Sequence, residues 1–119
     1  MGKRVLIIES DREAAFRLAG ELAAHAHETE LAHAWDEALA KAARFKPSIA
    51  IVDRSLLLRE AGERGPATLR ELMDKEALVI AAIEYSTKNA VPPPAVEPDF
   101  DVHFFKPVPV ARFLSSIDG

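Results

Sequence analysis

Uninterrupted apolar runs alternate along this chain with segments whose apolar residues recur every three or four positions. Val5, Leu6, Ile7 and Ile8 form one run; Ile49, Ala50, Ile51 and Val52 form another. Neither alternates with polar residues, which suits strands buried on both faces, as in a parallel sheet. Pro47 closes off whatever precedes the second run, because the residue before a proline is pushed out of the helical region. Residues 77–83 make a further buried run, and residues 101–105 a short last strand. Residues 28–33 read as a weaker, polar strand with Thr29, Leu31 and His33 on one face.

Between these runs the period changes. Ala15, Leu18, Ala19 and Leu22 fall at i, i+3, i+4 and i+7, one apolar face of a helix over residues 12–25. Ser10 or Asp11 can cap that helix. Residues 35–45 form a second helix with Ala38, Leu39, Ala42 and Phe45 inward, and Trp35 anchors its start. Residues 54–65 read as a loop. Leu56, Leu57 and Leu58 in it should bury something, and Gly62 and Gly65 permit turns. Pro66 fits the first position of a helix reaching about residue 75, with Leu69 and Leu72 inward. A final helix covers residues 108–117, with Pro109 in its first turn.

Strands alternating with helical connections of a dozen or so residues imply βαβ units, a parallel sheet and helices on both faces. Right-handed crossovers leave few topologies. One connection breaks the pattern. Residues 84–94 hold Pro92, Pro93 and Pro94 where a helix belongs, and each proline costs ~3 kcal/mol in a helix interior. An extended, polyproline-like segment with at most one helical turn is expected there.

Composition narrows the function more than the fold. The chain has 119 residues, the size of one domain, with 49% hydrophobic content and a net charge of −4. That balance gives no general attraction to nucleic acid or to an anionic membrane. There is no cysteine, so thiol chemistry and thiolate metal sites are excluded. No apolar run approaches the ~20 residues that span a bilayer. The first run is too short for a signal peptide, so the expected location is cytoplasmic. His25 and His27 lie two apart and do not share a helix face, so they read as helix-end residues rather than a metal pair.

The chemistry-capable residues sit where strands end. Glu9 and Ser10 follow the first run, Asp53 ends the central one, and Lys106 follows the last. In open α/β sheets, ligand sites lie at the carboxyl ends of strands. Carboxylates gathered there favour a hard cation such as Mg²⁺, and a nearby lysine neutralises an acid or a phosphoryl group.

In these features the chain resembles a response regulator receiver domain over nearly its whole length. Val5 to Asp11 resemble the family's first strand with its acidic pair. Pro47 to Asp53 resemble the strand bearing the phosphoacceptor aspartate. Phe104, Phe105, Lys106 and Pro107 resemble the strand with the family's lysine and following proline. The resemblance implies one receiver-like domain over residues 1–119, doubly wound in CheY-like fashion with strand order 2-1-3-4-5. In this chain the helix between the fourth and fifth strands is expected to be shortened or lost. It further implies two-component phosphorelay signalling without enzymatic activity. Asp53 is then the phosphoacceptor, and Lys106 contacts the phosphoryl group. Glu9, Ser10, Asp53 and the Ser55 carbonyl hold Mg²⁺, and Ala82 and His103 fall at the switch positions. A sensor histidine kinase or a downstream signalling protein is the implied partner, and a homodimer through the last strand and helix is open.

The chain departs from the family at several of these positions. Glu9 is one methylene longer than the usual acid, and Ser10 removes a charge from the ion site, weakening it. Asp11 can compensate or can cap the next helix. Ala82 cannot donate a hydrogen bond to a phosphoryl oxygen. These departures suggest an atypical receiver, leaving two readings open: phosphorylation at Asp53, or a phosphorylation-independent interaction module. A small phosphoryl-transfer enzyme with Asp53 as nucleophile is the alternative from another class. A second acid two residues after Asp53 would support it, and Ser55 stands there instead.

Overall fold

A computed structural model describes residues 2–62, 64–83 and 100–105, together with 111, 113 and 115. In chain order these form β1 (Arg4–Ile8), α1 (Arg12–Ala23), β2 (Glu28–Ala32), α2 (Trp35–Phe45), β3 (Ile49–Asp53), α3 (Arg54–Glu60), α4 (Gly65–Leu72), β4 (Leu78–Ile83) and β5 (Val102–Phe105). Ala111, Phe113 and Ser115 also have helical backbone. The expectations for residues 84–94 and for Lys106 lie outside the described residues, so the fate of the helix between β4 and β5 does as well.

The five strands make one sheet in the order β2-β1-β3-β4-β5, and every neighbouring pair is parallel. Its two faces are read directly from the apolar runs. Leu6, Ile8, Ala50, Val52 and Val79 pack on one side against Ala38 and Ala42 of α2, Leu56 and Leu57 of α3, and Leu69 of α4. Val5, Ile7, Ile49, Ile51 and Ile80 pack on the other against Ala15 and Leu22 of α1 and against Phe113. Successive strand residues point to opposite faces, so a run without polar alternation needs helices on both sides. Burying each large side chain contributes about 1.5–3 kcal/mol. Phe113 meets Phe104 of β5 edge-to-face, with ring centroids 6.1 Å apart, a geometry that aromatic pairs prefer.

The structure corrects one expectation. Residues 54–60 are a helix, α3, that starts at the residue after β3. Asp53 is its N-cap, and Leu56 and Leu57 are buried. Leu58 turns outward and is 61% exposed. A capping carboxylate and two anchored leucines suffice to hold this short helix, and the strand-to-helix transition needs no linker. The glycines act after it. Gly62 takes a left-handed φ of 72°. Gly65 lets α4 approach closely, since a Cβ there would lie 2.7 Å from Ala61 Cβ and 2.9 Å from Leu57 Cδ1. Helices α1 and α4 also end earlier than their patterns suggest, at Ala23 and Leu72.

Candidate functional site at the carboxyl edge of the sheet

The sheet register assembles the edge. Ile8 of β1 pairs with Val52 of β3, so Glu9 and Asp53, the next residue on each strand, stand side by side. Strands lie about 4.8 Å apart. Both acids are buried, with Glu9 7% and Asp53 5% exposed. Asp53 pairs with Ala82, and Ala82 pairs with Phe104. His103 pairs with Ala81, one row further from the edge. Glu9 is fixed through its backbone. Its N–H donates to the Ala32 carbonyl at 2.9 Å, and its carbonyl lies 3.0 Å from His33 Nδ1. Glu9 Oε2 accepts from the Asp11 N–H at 3.4 Å.

Two of the acids are also helix caps. Asp11 Oδ1 accepts from the N–H groups of Glu13 (3.1 Å) and Ala14 (3.2 Å) at the start of α1. Its carboxylate therefore serves the helix, as an N-cap should. Asp53 Oδ1 accepts from the Ser55 N–H at 3.1 Å.

Ser55 lies inside α3. A carbonyl in the first turn of a helix is the natural acceptor for the N–H four residues on. Ser55 directly follows the N-cap residue's neighbour at the start of α3, two residues after Asp53. Ser10 is exposed and brings no carboxylate. Among the described residues, no three acidic or histidine side chains gather as a metal site. What remains is the pair Glu9 and Asp53. Mg²⁺ keeps several waters and is commonly held by one or two carboxylates together with phosphate oxygens. The pair meets that minimum, at reduced charge.

No protein-family model matches the chain, and no curated protein matches it. Solved structures do. A response regulator from Burkholderia pseudomallei, crystallised with a phosphorylated aspartic acid, a calcium ion and citrate, aligns with a TM-score of 0.77 at 24% identity. The match covers 95% of this chain and 65% of that one. A CheY-like receiver domain from Methanospirillum hungatei aligns with a TM-score of 0.77 at 22% identity, over 99% of this chain and 92% of that one. A two-component response regulator from Clostridium difficile aligns with a TM-score of 0.78 at 18% identity, over 98% and 93%. The chain has the CheY-like receiver-domain fold.

Within this receiver fold, the structure brings Glu9, Asp53 and Ala82 to one edge. It also shows polar links that sequence reasoning missed. The N-cap of α2 is Ala34, which has no side chain to cap with. Two carboxylates serve the segment at the helix start instead, one from α3 and one from α2 itself. Glu60, the last residue of α3, accepts from the Trp35 N–H at 2.9 Å. Glu37 accepts from the His33 N–H at 2.6 Å. That hydrogen bond, with help from the Lys41 charge, holds the Glu37 carboxyl below its ordinary pKa. Glu37, the third residue of α2, stands at the capping-box position but reaches one residue past the N-cap Ala34. Glu60 carries no local signal, since its partner is 25 residues away. Phe16 and Leu58 are the exposed large apolar side chains among the described residues.

Proposed function

We propose that this chain is a receiver module of two-component signalling and that Asp53 is its phosphoacceptor. The observation that carries this reading is that buried Asp53 and buried Glu9 follow the paired residues Val52 and Ile8 at the carboxyl edge of a receiver-fold sheet. The donor is a phosphohistidine of a sensor kinase or a small acyl phosphate. An Asp53 oxygen attacks phosphorus while the bond to the donor nitrogen or oxygen breaks, its electron pair leaving with the donor. The product is an acyl phosphate on Asp53. Glu9 and Asp53 are the residues that would hold Mg²⁺. When bound, the ion supplies positive charge that offsets the phosphoryl oxygens. Lys106, two residues beyond Phe104 in sequence, supplies a second positive charge to the phosphoryl group. The module works in the cytoplasm through protein partners. The enzyme alternative has less support, because Ser55, whose N–H donates to the Asp53 carboxylate, stands where that chemistry needs a second acid.

A phosphorylation-independent docking module is the second reading. It is favoured by the Ser55 carbonyl lying within α3 and by the alanine opposite Asp53. Amide NMR spectra titrated with Mg²⁺ and then with beryllofluoride, which mimics a phosphoryl group on aspartate, separate the two. Saturable shifts around Asp53 that vanish in Asp53→Asn are the expected result. A spectrum that does not change at millimolar Mg²⁺ would discard the phosphoacceptor reading in favour of docking.

A further inference from the structure

We propose that a chemical change at Asp53 is transmitted along α3 to the N-terminus of α2; insofar as that change is phosphorylation, the inference rests on the reading above. Ala82, opposite Asp53, has no hydroxyl to follow a phosphoryl group. Helix α3 provides a different connection. It starts on Asp53, whose Oδ1 holds the Ser55 N–H at 3.1 Å. It ends on Glu60, whose Oε1 holds the Trp35 N–H at 2.9 Å. The seven-residue helix is thus tied by a carboxylate at each end.

Such a short helix has little stability of its own, so it holds its position through these ends and through buried Leu56 and Leu57. At the far end the dependence is mutual. Ala34 gives α2 no side-chain cap, so Glu60 serves an amide that would otherwise lack an acceptor. Trp35 is 6% exposed. A Cβ added at Gly65 would approach Trp35 Cζ2, Leu57 Cδ1 and Ala61 Cβ together, so these groups converge on one point. Leu57 belongs to α3 itself. A shift of α3 therefore changes both the acceptor and the packing at Trp35.

Forming an acyl phosphate turns the Asp53 carboxylate into a mixed anhydride, with one neutral acyl carbonyl and one oxygen bridging to phosphorus. The charged acceptor of the Ser55 N–H becomes a neutral one, and charge-assisted hydrogen bonds are the stronger kind. The start of α3 must adjust, and the adjustment arrives at Trp35, the single tryptophan of the chain.

The test uses the whole chain, labelled with ¹⁵N, before and after treatment with acetyl phosphate and Mg²⁺. Intact mass reports the modification, and the Trp35 amide resonance and indole emission report the relay. The expected result is one phosphoryl group added and a Trp35 shift that is lost in Glu60→Ala although modification is unchanged. Full modification with an unmoved Trp35 amide, or an equal shift in Glu60→Ala, overturns the relay. A chain that gains no mass sinks the phosphoacceptor reading instead. The relay is then decided by comparing Asp53→Ala, which removes the cap oxygen, with Asp53→Asn, which keeps one. A Trp35 shift much larger in Asp53→Ala supports it, and equal spectra refute it.

Discussion

Replacing Asp101 by alanine should cost this fold about 2–3 kcal/mol, although Asp101 lies outside the candidate site. Asp101 immediately precedes β5. Its Oδ2 accepts from the Val79 N–H at 2.8 Å and from Arg70 Nη2 at 2.8 Å. Its own N–H donates to the Val79 carbonyl at 2.8 Å. Val79 is fully buried in β4. Alanine at position 101 leaves the Val79 N–H without its acceptor, and such an orphaned buried donor costs about 1–3 kcal/mol. The ion pair adds less, because both side chains are 35% exposed. Exposed pairs contribute about 0–1 kcal/mol. For a chain of this size, the total corresponds to a fall of roughly 8–12 °C in the thermal midpoint. Asp101→Asn keeps an acceptor oxygen and should lose about half as much or less. Urea unfolding followed by Trp35 fluorescence measures both variants. A loss below about 0.5 kcal/mol in Asp101→Ala, the range of an ordinary surface substitution, would refute this reasoning. The outcome matters for the site because Asp101 sets where β5 starts against β4. That register puts Phe104 opposite Ala82, and Ala82 opposite Asp53.

Two further substitutions probe the elements around Asp53. Leu56→Ala should cost about 2–5 kcal/mol, while Leu58→Ala should change stability by no more than about 0.5 kcal/mol. Equal losses in urea unfolding would argue against the helical placement of α3, in which Leu56 is buried and Leu58 is 61% exposed. Glu37→Gln should lower stability slightly at neutral pH, by about 0.5 kcal/mol or less given the exposure of the side chain. The folded-state pKa of Glu37 lies below its ordinary value of 4.5, so its contribution is present above that value. It is lost as pH falls through the depressed folded value. Denaturation curves of wild type and Glu37→Gln should therefore converge in acid, and a gap that widens there would contradict the assignment.

The apolar runs determined the strands. Four consecutive apolar residues in β1, and again in β3, have no polar face to offer water, so both strands had to lie between two helical layers. Ala15 and Leu22 in α1, like Ala38 and Ala42 in α2, declared their buried faces by spacing alone. The place of Glu9 and Asp53 at the sheet edge was legible because each directly follows or ends such a run. The order of the strands and the row Asp53–Ala82–Phe104 came from parallel pairing between segments far apart in the chain. No local period encodes that register.

The roles of the polar side chains were likewise tertiary. Asp11 could cap or ligate, and its contacts with Glu13 and Ala14 decided for the cap. Asp53 both ends a strand and starts α3. Reading residues 54–60 as part of a loop failed because a single carboxylate starts α3 directly after β3. Glu60 found its partner in Trp35, and Asp101 found partners in Val79 and Arg70. A hydrophobic pattern reports burial, which is averaged over a whole face. A hydrogen bond depends on one donor meeting one acceptor, and only the packed chain decides which two meet.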